Sequence, residues 1–111
     1  MYTEKRLVAG SLLTNSAVTY YTATAPVTKT IIKEMTFCNT DNTTAYTFTL
    51  HIIPVGGSLS DANMEFKTVT LQAGETKIFG RSCVLEQGSF IQALASTTSK
   101  IAFSCSGIER T

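Results

Sequence analysis

Apolar and polar residues alternate along several short segments of the chain, whereas the spacing typical of an amphipathic helix does not recur. The clearest alternating segment is 46–52. Its apolar face consists of Tyr46, Phe48, Leu50 and Ile52. Its polar face consists of Thr47, Thr49 and His51. Because side chains on a strand point to opposite sides in turn, this pattern predicts a β-strand with one buried face.

Turn-forming residues separate further alternating segments and predict three β-hairpins. The predicted hairpins pair 29–38 with 46–52, 66–71 with 76–79, and 89–95 with 100–108. On 29–38 the residues expected to face inward are Ile31, Met35 and Phe37. Lys33 interrupts their alternation. The segment 80–88 is predicted to be a connection.

Pro54 ends the strand that begins at 46, because proline has no N–H to donate to a neighbouring strand. The longest predicted loop follows over 54–63 and is expected to contain a short helical turn. In the last strand the expected inward residues are Ile101, Phe103 and Cys105, and the outward ones are Ala102, Ser104 and Ser106. With segments 7–9 and 17–22, about eight strands are predicted. The fold class is therefore all-β: a single antiparallel, jelly-roll-like β-sandwich over 1–111, with little or no helix.

Length and composition agree with one β-rich domain. The chain has 111 residues, of which 19 are Thr and 10 are Ser, and β-branched Thr favours strands. Only 15% of the residues are charged and the net charge is +1, which argues against a nucleic-acid partner because such proteins carry a basic surface. No apolar run is long enough to span a membrane as a helix, so no membrane partner is expected.

No grouping typical of an active site is visible. His51 is the only histidine, and it lies on a Thr-rich strand face where it is expected to face solvent or a neighbouring subunit. The carboxylates are scattered, and Gly56-Gly57 lacks the helix and Lys of a phosphate-binding loop. The sequence therefore predicts a protein that is not an enzyme, with no catalytic or metal-ligating residues and no cofactor.

The three cysteines, Cys38, Cys83 and Cys105, show no CxxC spacing. Buried free thiols in a protein that folds in a reducing cytosol are expected. A Cys38–Cys105 disulfide remains an alternative, because sequence spacing does not determine distance in the fold.

Tyr20 and Tyr21 are the candidate contact residues, together with His51. Adjacent residues of a strand face opposite ways, so one tyrosine is expected on the outer face or in an interface. Packing in the core or against a subunit is preferred for these rings, and stacking on a sugar ring is the alternative. The outward strips that contain His51 and Ser104 carry small, uncharged residues. Such strips fit either a solvated face or contact between subunits, and contact between subunits is preferred.

A series of short motifs runs in order along almost the whole chain. The motifs are Lys5-Arg6-Leu7, Lys29-Thr30-Ile31-Ile32-Lys33-Glu34, Cys38-Asn39-Thr40-Asp41, Ala73-Gly74-Glu75-Thr76 and Ser106-Gly107-Ile108-Glu109. Their order resembles the small β-sandwich accessory proteins of tailed siphophages that infect Gram-positive bacteria. That family is similar in fold to the shoulder domain of lactococcal phage receptor-binding proteins, which are trimeric. The resemblance implies synthesis in the bacterial host cytoplasm and a virion- or tail-associated context, and it transfers no catalytic or ligand residues.

The function expected from these observations is that of a phage structural or accessory protein acting through protein–protein contacts, with host adsorption as one context. Its expected partners are itself, as a trimer or another homo-oligomer, and other virion proteins. The chain has no separate receptor-binding head domain, which argues against host recognition by this protein alone. The alternative is a module that binds host cell-surface polysaccharide, motivated by Tyr20, Tyr21 and the loop 54–63.

Overall fold

A computed structural model describes residues 1–80 and 82–111 and contains nine strands with one short 3-10 helix. The strands are β1 (Tyr2–Leu12), β2 (Val18–Thr22), β3 (Lys29–Asn39), β4 (Tyr46–Ile53), β5 (Met64–Leu71), β6 (Thr76–Phe79), β7 (Cys83–Glu86), β8 (Phe90–Ala95) and β9 (Ile101–Arg110). The 3-10 helix, Asp61–Asn63, is the helical turn predicted within 54–63. The all-β prediction is confirmed. In the described part of the chain, no helix is long and apolar enough to cross a membrane.

The strands form two antiparallel sheets that pack as a sandwich. Sheet A has the order β1-β9-β3-β6, and β7 also pairs with β3. Sheet B has the order β2-β8-β4-β5. Because β6 pairs with 35–38 of β3 and β7 with 29–32, they act as one interrupted edge strand. The sandwich therefore has eight strand positions, four in each sheet, in a jelly-roll arrangement.

The three predicted hairpins are wrong. In each of them one strand belongs to sheet A and the other to sheet B: β3 with β4, β6 with β5, and β9 with β8. The consecutive strands that do pair are β4 and β5, on either side of the longest loop. The segment 80–88, expected to be a connection, contains β7. Alternation reports which way a side chain points, and it carries no information on the neighbouring strand.

Every strand pair joins the first half of the chain to the second. The strands β1 to β4 end at Ile53, and β5 to β9 begin at Met64. The pairs are β1–β9, β9–β3, β3–β6, β3–β7, β2–β8, β8–β4 and β4–β5. Each half of the chain therefore depends on the other for the backbone hydrogen bonds between its strands.

The core is centred on a stack of three phenylalanine rings. Phe37 lies between Phe48 of sheet B, at a centroid distance of 3.8 Å, and Phe103 of sheet A, at 4.7 Å. Phe66 and Phe79 contact Phe37 with their rings tilted toward the perpendicular. The inward positions predicted for 46–52 and for the last strand are confirmed at the buried Phe48 and Phe103, so the alternation on these two strands was correctly interpreted.

A β-bulge in β3 corrects the prediction for 29–38. The pairing of β3 with β9 shifts between Ile32 and Glu34, so that Ile32 is buried in the core and Ile31 points outward. The interruption at Lys33 marked this bulge in the sequence. Opposite the bulge, Gly107 approaches β3 so closely that an added Cβ would collide with the Ile31 carbonyl oxygen.

Candidate functional site

Tyr20 and Tyr21 both point toward sheet A, and the prediction that they face opposite ways is wrong. The pairing of β2 with β8 shifts between Thr19 and Tyr21. A bulge of this kind breaks the alternation of side chains. The Tyr20 ring meets Phe103 edge-on at 5.8 Å, and burial raises the pKa of Tyr20. Neither tyrosine therefore offers a free aromatic platform on the outer surface.

The Tyr21 hydroxyl belongs to a polar cluster between the sheets. It donates to Glu109 Oε2 at 2.5 Å and accepts from the Thr30 hydroxyl at 2.7 Å. Lys5 Nζ lies 3.2 Å from the other oxygen of Glu109. Burial, and then the hydrogen bond to Glu109, raise the pKa of Tyr21 to about 12. The cluster joins β2 of sheet B to three strands of sheet A, so its role is to hold the sheets together.

His51 lies on the outer side of sheet B, but it faces neither solvent nor a free surface. Its side chain is 3% exposed, because the loop 54–63 covers it. Its Nδ1–H donates to Asn63 Oδ1 at 2.8 Å, and Asn63 Nδ2 donates to the Ser58 carbonyl oxygen at 2.8 Å. The predicted solvent- or subunit-facing position is thus wrong, and the residue anchors a loop. Asn63, which sequence reasoning missed, is one Asn of a polar loop and carries no distinguishing signal.

No disulfide joins Cys38, Cys83 and Cys105 in the described part of the chain. Cys105 points into the core, where burial raises the pKa of its thiol to about 12. Cys38 lies on the outer side of sheet A, opposite the buried Phe37 in the alternation of β3. A Cys38–Cys105 disulfide would have to pass through the sheet, so that alternative is not realised. Among the residues that the structure describes, no three His, Cys, Asp or Glu side chains come together as a metal site.

The outer face of sheet A is the candidate functional surface. It includes the outward side chains of β1, β9, β3, β6 and β7: Tyr2, Glu4, Arg6, Leu12, Lys29, Ile31, Glu34, Thr36, Cys38, Thr76, Ile78, Val84, Glu86, Ala102, Ser104, Ser106, Ile108 and Arg110. Four large apolar side chains remain exposed there, Tyr2 at 66%, Ile78 at 61%, Val84 at 52% and Leu12 at 49%. The predicted outward strip of Ala102, Ser104 and Ser106 runs along its middle.

The middle of this face contains polar groups that the fold does not use. Arg6, Glu34, Thr36, Ser104 and Ser106 line a shallow depression. Within the described ranges, none of these side chains has a hydrogen bond or an ion pair, whereas Lys5 and Glu109 nearby are paired. Their hydrogen-bonding capacity is therefore available to a partner.

No protein-family model matches the chain, and no curated protein matches its sequence. Among solved structures, a protein of the Bacillus endospore appendages, which form disulfide-linked pili, is similar over 100% of this chain and 88% of its own, with a TM-score of 0.56 and 12% identity. A chain of infectious bursal disease virus, Gx strain, is similar over 98% of this chain, with a TM-score of 0.50 and 14% identity. This chain spans only 30% of that viral chain. At these identities, the likeness is one of fold.

Proposed function

We propose that this protein is a non-enzymatic structural subunit of a virion or another extracellular assembly, and that it acts through protein–protein contacts. The observation that carries the proposal is the outer face of sheet A. It combines exposed apolar side chains with a strip of small residues and polar groups that no described residue satisfies. A monomer gains nothing from such a face, whereas a subunit buries it.

The fold supports the same function. The titratable groups noted in the sequence are used internally: Tyr21 and Glu109 connect the sheets, and His51 holds a loop. The similar Bacillus protein forms pili, and jelly-roll domains are frequent in viral shells. A structural role makes use of the surface and requires no reactive group.

The finer form of the proposal places the chain in a tailed siphophage of a Gram-positive host, as a virion or tail accessory protein of the type of the gene 22 product of a Bacillus phage. The order of its motifs supports this form. A role in host adsorption is part of the same hypothesis, exerted through other virion proteins rather than through direct contact with the host.

The polysaccharide-binding alternative has lost one of its two motives. It depended on an exposed ring at Tyr20 or Tyr21 and on the loop 54–63, and both rings contact the interior of the sandwich. The loop itself contains no aromatic residue on which a sugar ring could stack.

Mass spectrometry of density-purified phage particles from an infected culture tests the function. We expect the chain to be present at a fixed ratio to the major tail or capsid protein. Particles that lack the chain, together with a purified chain that binds no virion protein in pull-down experiments, would show that the proposal is wrong.

A further inference from the structure

The outer face of sheet A carries two opposite charges in a symmetrical position. Arg6 of β1 and Glu34 of β3 are both register partners of Ser106, on either side of β9. Since neighbouring strands lie about 4.8 Å apart, the two backbones are separated by about 10 Å. Both side chains are exposed, and neither has an ion-pair partner among residues 1–80 and 82–111.

From this layout we infer that the outer face of sheet A binds a second copy of the chain about a two-fold axis that runs along β9. The inference rests on the proposed function and names the partner of its contact surface. An axis parallel to β9 places β1 of one copy over β3 of the other. Arg6 then faces the second copy's Glu34, and Glu34 faces the second copy's Arg6, so one patch supplies two ion pairs.

The same axis matches the sizes of the facing residues. Leu12 and Cys38 are both register partners of Ala102, again on either side of β9. In the two-fold arrangement the exposed Leu12 lies over the small Cys38 of the other copy. The outward residues of β9 lie on the axis and face their own equivalents: Ala102, Ser104 and Ser106 are small, Ile108 packs on Ile108, and Arg110 meets Arg110 at the end of the strand. Small residues at the axis allow the two sheets to approach to the spacing of about 10 Å that packed sheets adopt.

Charge disfavours one alternative face-to-face arrangement. A two-fold axis perpendicular to β9 that passes through Ser106 would set Arg6 over Arg6 and Glu34 over Glu34. Like charges across an interface cost affinity and suppress the wrong pairing. The molecule measures 44 × 27 × 19 Å, and the shortest dimension is that of two stacked sheets. On this broad face, an axis along β9 sets β1, β9 and β3 of the two copies against one another, whereas β6 and β7, with Ile78 and Val84, lie beyond the overlap.

Charge reversal tests the inference on the full-length chain. The association constant is measured by sedimentation over a concentration series for the wild type, Arg6→Glu, Glu34→Arg and the double variant. We expect a dimer that each single reversal weakens by about tenfold or more, and that the double variant restores to near the wild-type constant. Lys67→Glu, an exposed charge on β5 of sheet B, is the matched control and leaves the constant unchanged. Thermal unfolding verifies that all variants are folded.

The outcomes separate the inference from the proposed function. Single reversals without effect, a double variant no better than the singles, a trimer, or a monomer at every concentration would each overturn the inference. The proposed function would remain after any of these results if the chain is a component of purified particles. It is contradicted only when the chain is absent from those particles and binds no virion protein.

Discussion

Tyr21 holds its proton more tightly in the folded chain than in the unfolded one. Its hydroxyl lies between Thr30 and Glu109, where burial and the neighbouring carboxylate disfavour a phenolate. Glu109 in turn holds Lys5. One hydroxyl therefore connects sheet B to β1, β3 and β9 of sheet A, and the protonation state of the residue affects the whole contact.

We predict that the chain loses stability as the pH rises from about 10 to about 12. The pKa of Tyr21 is raised to about 12, against about 10 in an unfolded chain. A raised pKa contributes stability that is fully present below pH 10 and is lost as the pH passes the folded value. The measurement is the urea midpoint at a series of pH values from 8 to 12.

Tyr21→Phe is the control for this pH dependence. Without the hydroxyl, the decline between pH 10 and pH 12 should be smaller. It should not vanish, because the pKa of Cys105 is also raised to about 12 by burial. Identical pH profiles for the wild type and Tyr21→Phe would contradict the prediction.

At the scale of the strands, bulges determine where side chains point, and those in β3 and β2 decide the placement of residues discussed above. The bulge in β3 turns Ile32 into the core, and the bulge in β2 turns both tyrosines toward sheet A. The first requires a glycine opposite it, since Gly107 lies against the Ile31 carbonyl group.

Gly107→Ala should therefore destabilise the chain by about 1–3 kcal/mol, as overpacking of a filled site does. The contact is with backbone, which cannot rotate away as a side chain can. Gly80→Ala is the matched control, because an added Cβ at Gly80 meets nothing within 4 Å. Urea denaturation of both variants measures the difference, and equal midpoints would show that β3 and β9 separate without cost.

The loop 54–63 depends on one side chain. Asn63 accepts from His51 and donates to the Ser58 carbonyl oxygen. Asn63→Ala should cost about 1–3 kcal/mol, because it leaves a buried imidazole N–H without an acceptor. Limited proteolysis should then cleave within the loop faster than in the wild type. Ser58→Ala keeps the carbonyl group that accepts from Asn63 and is expected to behave as the wild type. Equal cleavage rates for the wild type, Asn63→Ala and Ser58→Ala would contradict the role of Asn63 in holding the loop.

The strand faces could be predicted from the sequence because they depend on local contrast between apolar and polar residues. Phe48 and Phe103 were placed correctly for this reason. The bulge in β3 also left a local signal, the charged Lys33 within an apolar pattern. The bulge in β2 left none, since Tyr20 and Tyr21 are chemically alike. The burial of His51 could not be predicted from the sequence, because it depends on the position of the Asn63 side chain, which lies 12 residues further along the chain.

At the scale of the whole molecule, the strand pairs could not be predicted, because each of them except β4–β5 joins strands that are distant in the sequence. Short connections such as 72–75 look like hairpin turns, but they carry the chain from one sheet to the other. A turn motif determines that the backbone reverses its direction. Whether the next strand joins the same sheet or the opposite one depends on the packing of the complete core.

A chain divided in the loop 54–63 should reassemble from its two halves. We predict that 1–58 and 59–111, prepared separately, lack strand structure alone and regain it when mixed, because all seven strand pairs join one half to the other. Far-ultraviolet circular dichroism before and after mixing is the measurement. A strand spectrum from 1–58 alone at low concentration would contradict the prediction.

The pairing of first half with second also determines what happens during synthesis. A nascent chain leaves the ribosome with its N-terminus first, and β1 to β4 emerge before any of their partners exists. Folding of this protein must then wait for translation past Met64, and it closes fully only when β9 has been released. A product that ends before Met64 contains none of these strand pairs, so it has no part of the sandwich to keep.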